Sequence, residues 1–201
     1  MRICSAVLAT ALVMVPCVVG VAPHGRQEST QRAGTSKPEV AFYIYQKAGH
    51  GPGHSGLLLA AWDDGLIIFP EDQKQPDRKQ RAARVDGAKV RALVAELETI
   101  GFFDPGVPQN RGLAPDAGSM TIGAVKGGVM TEYTRGDMAK DTFESIDTAD
   151  STRKFERVWA GAFATLRHSL PADSKPLSED KEAQAQYGRA RGGNKLPILV
   201  R

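Results

Sequence analysis

Two apolar runs joined by an Asp-Gly turn are the feature that most constrains this fold. Residues 57–62 and 66–69 are apolar and are separated only by Asp63-Asp64-Gly65. Asp followed by Gly between apolar runs favours a tight β-hairpin, because Gly adopts positive φ at little cost and Asp tolerates it. The sequence therefore predicts two antiparallel strands that pair through this turn.

Three further segments extend the predicted sheet. Residues 40–45 are β-branched and aromatic, which favours a strand, and residues 80–85 are compatible with another short one. Residues 119–125 and 129–134 flank Lys126-Gly127-Gly128, so they predict a second hairpin. Strands joined by hairpins pair antiparallel.

Two helices are predicted from apolar stripes. The first follows Asp86 as N-cap and ends before Gly101, and the second follows Asp150 or Ser151 and stops at Pro171. The stripes comprise Val90, Leu93, Val94, Leu97 and Ile100 in the first helix and Phe155, Val158, Trp159, Ala162, Phe163, Leu166 and Leu170 in the second. The residues expected to be buried where the helices meet the sheet are Leu97, Phe102, Trp159 and Phe163.

The expected fold class is α+β, with an antiparallel sheet of about five strands and two helices on one face, in the order βββαββα. The expected organisation is a signal peptide at 1–20, a flexible tether at 21–39, one domain at 40–170 and a mostly disordered polar tail at 171–201. The apolar run 196–200 stands out from that polar tail, and its role is open.

The first twenty residues predict export. Arg2, an apolar run and small residues up to Gly20 have the pattern of a secretory signal peptide. The apolar core of about 13 residues is shorter than the roughly 20 that span a bilayer. Cleavage after Gly20 would give a secreted or periplasmic protein. Cys17 is a candidate for lipid anchoring, but Pro16 stands where such a site needs a small residue, so soluble export is preferred.

Cysteine and charge limit the classes of partner. Cys4 and Cys17 are the two cysteines, and both lie in the predicted leader, so we expect no disulfide in the mature chain. The net charge of +3 falls to +2 when the leader and Arg2 are removed. This mild charge does not favour nucleic-acid binding, and no later segment reaches transmembrane length. The expected partner is an unidentified envelope or extracellular one.

The order of elements is similar to a known group of domains. The chain resembles small exported or lipid-anchored bacterial domains of unknown function. The shared order is an apolar strand, an Asp-Gly turn, a second strand, a helix ending in Leu-x-x-x-Gly-Phe-Phe, a hairpin with a Gly turn and a final helix. The matching residues, within about 40–170, are Asp64, Gly65, Leu97, Gly101, Phe102, Phe103, Asp116, Gly127 and Gly128. The resemblance implies a fold but no chemistry, and both the segment 49–56 and the tail lie outside it.

The Gly/His-rich loop 49–56 is the segment most suggestive of chemistry. Gly51, Gly53 and Gly56 have the spacing of a dinucleotide-binding loop, but such a site needs a helix directly after the glycines, and a strand is predicted there. His50 and His54 are candidate metal ligands that would need a third ligand, such as His168 or a carboxylate. The preferred interpretation is two solvated histidines.

Ser55 and several carboxylates are further candidates for catalysis or cation binding. Ser55 lies next to His54, but Leu57 replaces the second glycine of a nucleophile elbow. Asp116 is a candidate to bind a cation together with main-chain carbonyls, although a turn role is more typical. The other carboxylates near the loop after the first helix and the second hairpin are Asp104, Glu132 and Asp137.

The sequence thus predicts no catalytic residue and no cofactor. The expected function is an exported, non-catalytic binding or structural module of the envelope or extracellular space. The alternative is a metal-dependent protein or hydrolase that uses loop 49–56.

Overall fold

The computed structural model describes residues 37–50, 53–76, 78–114, 116–137, 149–193 and 196. The predicted signal peptide, both cysteines and most of the predicted tether lie outside the described residues. Residues 197–200 of the apolar C-terminal run also lie outside them, whereas Leu196 is described and buried.

The described strands form one mixed sheet. They are β1 Val40–Lys47, β2 Gly56–Trp62, β3 Leu66–Pro70, β4 Gln80–Arg84, β5 Asn110–Arg111, β6 Ser119–Lys126, β7 Val129–Gly136 and β8 Lys175–Pro176. Their order across the sheet is β5-β7-β6-β1-β2-β3-β4-β8. Neighbouring strands pair antiparallel except β5 and β7, which pair parallel.

Both predicted hairpins are confirmed, but the sheet is larger than predicted. β2 and β3 are joined through residues 63–65, and β6 and β7 pair from Lys126 and Val129 at the Gly127-Gly128 turn. The expectation of about five antiparallel strands is wrong, because eight are described and one pair is parallel. The two added edge strands have two residues each, too short to carry a hydrophobic period.

Two helices cover one face of the sheet, as predicted. They are α1 Gly87–Thr99 and α2 Ala149–Arg167, and Asp86 caps α1 by accepting the Ala88 N–H at 2.8 Å. Leu97 and Phe102 are fully buried and Trp159 is buried, which confirms three of the four predicted core residues. Phe163 is only partly buried and stacks on Trp159, with ring centroids 5.2 Å apart.

A third helix covers the other face, which corrects the two-layer prediction. The segment expected to be a disordered tail forms β8, a 3₁₀ turn at Leu177–Glu179 and α3 Lys181–Gly192. Asp180 caps α3 by accepting the Ala183 N–H at 3.0 Å, and the buried Gln186 amide donates to the Asp64 carboxylate at 3.1 Å. The core on this face contains Val40, Tyr43, Leu57, Ala60, Trp62, Leu66, Ile68, Ala82, Leu177, Ala183, Ala190 and Leu196.

The strand β2 explains why the sheet needs a third layer. Every residue of β2 is buried, and its side chains divide between the core under α1 and α2 and the core under α3. A strand that is apolar on both faces needs cover on both faces. No helix among the described residues is long and apolar enough to cross a membrane.

Candidate functional site

The structure places the described part of the Gly/His-rich loop against the loop that precedes β6. His50 Nε2 lies 2.7 Å from Asp116 Oδ1, and the His50 main-chain N–H donates to the Asp116 carbonyl at 3.1 Å. The side chains of this pair are 81% and 74% exposed. An ion pair this exposed contributes little to stability, so its interest lies in the surface that it borders.

The other loop candidates have main-chain partners. The Ser55 hydroxyl accepts the Ala48 N–H at 2.8 Å, and the His54 carbonyl accepts from the Gln46 side chain at 3.4 Å. Gly56 begins β2, so a strand follows the glycines and the dinucleotide-binding arrangement is absent there. The Ser55 hydroxyl thus connects the two ends of the loop.

The described residues supply no third metal ligand for the pair His50 and His54. His168 lies at the end of α2, where its Nδ1 is 2.7 Å from the Ala164 carbonyl oxygen. The described part of the chain contains no group of three or more His, Cys, Asp or Glu residues placed to hold a metal ion. His50 therefore contacts a single carboxylate, that of Asp116, and this contact does not make a set of metal ligands.

Asp104 and Glu132 hold local structure. Asp104 accepts the Gly106 N–H at 2.8 Å and pairs with the Lys154 ammonium at 3.0 Å, and these two interactions lower the pKa of Asp104. Glu132 accepts a hydrogen bond from the buried Tyr43 hydroxyl.

Asp116 and Asp137 border a cavity of about 590 Å³ at one end of the sheet. Its wall also includes Gln46, Lys47 and His50 from the end of β1 and the loop that follows it, and Met120 from β6. This is the one place where several candidates from the sequence come together in the described structure. The cavity offers carboxylate, amide, imidazole and ammonium groups to a polar ligand.

A second feature, the arginine cluster, is formed by Arg111, Arg135, Glu156 and Trp159. The parallel pairing of β5 with β7 makes Arg111 the direct neighbour of Arg135. Glu156 and Trp159 project from α2 one turn apart. Arg135 Nε lies 3.3 Å from Glu156 Oε1, and its guanidinium carbon lies 5.1 Å from the centre of the Trp159 ring.

Arg111 is buried, and two of its three side-chain nitrogen atoms lack a hydrogen-bond acceptor among the described residues. Its side chain is 8% exposed, and its Nε and Nη1 atoms have no acceptor among the described residues. Glu156 Oε1 is 3.8 Å from Arg111 Nε, beyond hydrogen-bonding distance, and is bonded to Arg135. Trp159 Nε1 is likewise buried without an acceptor in the described part of the chain. Three buried donor atoms thus lie in a cluster whose two arginines and one glutamate carry a net positive charge.

The arginine cluster continues a row of side chains that begins at the cavity. Gln46 on β1 pairs with Met120 on β6, Met120 pairs with Arg135 on β7, and Arg135 pairs with Arg111 on β5. Residues paired across strands project from the same face, and adjacent strands are about 5 Å apart. Gln46 and Met120 line the cavity, so the cavity and the arginine cluster adjoin along one row.

The arginine cluster was missed at the level of sequence. Arg111 lies in a two-residue strand with no pattern of its own, and its burial depends on parallel pairing with β7 and on cover by α2. One local signal points to Arg135. Side chains alternate along β7, so Arg135 lies on the same helix-covered face as the buried Tyr133.

No protein-family model matches this chain, and no curated protein is similar to it in sequence. The likeness to small exported domains therefore stays a prediction about the order of elements.

Proposed function

We propose that this chain is an exported, non-catalytic binding module that takes an anionic ligand at the arginine cluster. The observation that carries the proposal is the Arg111 guanidinium, which is buried and has two nitrogen atoms without an acceptor. Export rests on the signal-peptide pattern of residues 1–20.

An anion is the ligand class that matches these donors. Leaving a charged donor buried and unpaired destabilises a folded protein by several kcal/mol, so such groups in native structures call for a partner. Guanidinium groups bind carboxylate and phosphate oxygens through charge-assisted hydrogen bonds. Glu156 supplies one negative charge for two arginines, and that leaves one positive charge for a ligand to neutralise.

The cluster is open enough to admit a ligand. The Arg135 and Glu156 side chains are 29% and 35% exposed, whereas Arg111 behind them is buried. A small anion entering past Arg135 would reach donors that are already fixed by strand pairing. Donors held in place in this way lose little entropy when they bind.

The alternative, a metal-dependent protein or hydrolase using loop 49–56, has less support. The described part of that loop brings His50 to one carboxylate, and Ser55 to a main-chain N–H. Neither contact resembles a ligand set or an activated nucleophile.

The test measures the unfolding free energy of the purified mature chain and of its Arg111→Met variant. Each protein is measured at increasing concentrations of potassium acetate or potassium phosphate, and again in potassium chloride at the same ionic strength. A ligand that binds only the folded state raises the unfolding free energy by about 2.7 kcal/mol at 100 times its Kd. We expect this for the wild-type chain and not for Arg111→Met. Without added anion, Arg111→Met should be at least as stable as wild type, because it removes a buried charge that has two nitrogen atoms without a hydrogen-bond acceptor.

Arg153→Met is the matched control. Arg153 also lies on α2, but its side chain is 76% exposed and pairs with Asp150. It should respond to acetate or phosphate as the wild-type chain does. Equal responses of wild type and Arg111→Met to both anions, or a wild-type response no larger than that to chloride, would contradict the proposal.

A further inference from the structure

We infer that the ligand is a zwitterion, a carboxylate that also carries an ammonium group, and that Asp137 binds the ammonium. This inference rests on the proposed function, because it takes the arginine cluster as the site for the carboxylate. It adds the adjoining cavity as the site for the opposite charge.

Asp137 is placed beside the cluster by β7. It directly follows Gly136, the last residue of β7, and lies two positions after Arg135. Asp137 lines the cavity together with Met120, the cross-strand partner of Arg135, so Arg135 and Asp137 place opposite charges at adjoining parts of the site.

The main chain of Asp137 is held by Gly118. The Asp137 N–H donates to the Gly118 carbonyl at 2.9 Å, and the Asp137 carboxylate lies against the Gly118 Cα. A side chain at position 118 would overlap that carboxylate, so the glycine makes the space that the carboxylate occupies. An acidic group held beside a cavity is already oriented for a ligand.

The charges around the cavity favour a cation. Asp116 and Asp137 both line it, opposed by Lys47, and His50 is hydrogen-bonded to Asp116. Within the described residues, neither Lys47 nor any other cation forms an ion pair with Asp137. The available carboxylate of Asp137 thus lies at the cavity, two residues along the chain from Arg135, and the available guanidinium groups lie in the adjoining arginine cluster.

A dipeptide has the size and charges that this arrangement requires. Its ammonium and carboxylate are separated by about the same distance as alternate positions along a strand, roughly 6–7 Å. The carboxylate would accept from Arg111 and Arg135, and the ammonium would donate to Asp137. The cavity of about 590 Å³ has room for the chain between them.

The experiment is isothermal titration calorimetry of the mature chain with two probes, glycylglycine and N-acetylglycylglycine. Both carry the same carboxylate, but acetylation removes the ammonium charge. We expect glycylglycine to bind at least about tenfold more tightly than the acetylated peptide. Asp137→Asn should abolish that preference and leave the affinity for the acetylated peptide unchanged.

Asp150→Asn is the control, because Asp150 is 92% exposed on α2 and belongs to neither feature; it should keep the preference for glycylglycine. Equal binding of the two peptides, dependent on Arg111, would overturn this inference and leave the proposed anion site intact. A preference that persists in Asp137→Asn would overturn the role of Asp137. Binding of neither peptide, with phosphate still stabilising the wild-type chain, would also exclude the zwitterion while retaining the anion site.

Discussion

Tyr43 shows how one buried side chain links the fold to pH. It lies in the core under α3, and its hydroxyl donates to Glu132 on β7. Burial, reinforced by the hydrogen bond to Glu132 and its negative charge, raises the pKa of Tyr43 far above its usual range. The phenol therefore stays protonated in the folded chain under conditions in which the unfolded chain ionises.

The stability of the chain should fall as pH rises above about 10, the ordinary pKa of tyrosine. The unfolded state then releases the Tyr43 proton and the folded state keeps it, so the contribution present below pH 10 is progressively lost. Tyr43→Phe should make the decline in unfolding free energy shallower by about 1 kcal/mol per pH unit. Urea denaturation at several pH values between 9 and 11.5 measures this.

At pH 7, where the tyrosine is protonated in both states, the difference in unfolding free energy between wild type and Tyr43→Phe reports the loss of the Tyr43–Glu132 hydrogen bond. We expect that loss to lower the unfolding free energy by about 1 kcal/mol. Burial also raises the pKa of the other three tyrosines, Tyr45, Tyr133 and Tyr187, so Tyr43→Phe should retain part of the decline. A slope identical to that of wild type would show that Tyr43 ionises equally in the folded and unfolded chains.

At the scale of elements, α3 converts a half-covered sheet into a three-layer structure. Its buried positions, Ala183, Gln186 and Ala190, recur at helical spacing. Two of the three are small and one is polar, so the stripe has few of the large apolar residues that mark a buried helix in a sequence. Contacts with Asp64 and Arg84 fix the helix on the sheet.

Gly188→Ala should stabilise the protein. Gly188 lies inside α3, and a Cβ at this position would have no atom within 4 Å. Alanine is favoured over glycine in a helix by about 0.5–1 kcal/mol, so the free energy of unfolding should rise by that amount if α3 folds with the domain. Chemical denaturation followed by circular dichroism gives the value.

Gly127→Ala is the matched control. A Cβ at Gly127 would also have no atom within 4 Å, but its φ is 58°, in the turn between β6 and β7. That substitution should destabilise by about 1–2 kcal/mol, because left-handed backbone is unfavourable for alanine. If Gly188→Ala left the stability unchanged while Gly127→Ala lowered it, α3 would not be part of the cooperative unit.

At the scale of the whole molecule, the two ends of the sheet have different roles. Residues of β2, β3 and β4 contribute both to the core under α1 and α2 and to the core under α3. The strands β5, β7 and β6 carry the arginine cluster and lead to the cavity. The arginine cluster thus lies at the β5 edge of the sheet, opposite the β8 edge.

Export predicts a mature N-terminus at Val21. The leader pattern of residues 1–20 should direct secretion, and cleavage after Gly20 would remove both cysteines. Intact-mass spectrometry of the protein recovered from the producing cell should give a chain that begins at Val21. A cytoplasmic product that retains Met1 would contradict the localisation, and a lipid-modified Cys17 would replace soluble export by anchoring.

Local elements with strong patterns could be predicted from the sequence. The Asp64-Gly65 turn, the Gly127-Gly128 turn and the Asp86 cap depend on neighbouring residues, so their chemistry can be read along the chain. The apolar stripe through Leu97 in α1 and the one through Trp159 in α2 likewise predicted which side of each helix is buried.

The third layer and the arginine cluster depend on contacts between distant parts of the chain, so they could not be predicted from local patterns. The place of α3 depends on β2 being apolar on both faces, a relation between residues more than a hundred positions apart. Arg111 is buried because β5 pairs parallel with β7 under α2, which no local pattern around Arg111 encodes. Hydrophobic periodicity reports one element at a time, whereas the burial of a charged side chain depends on which elements meet around it.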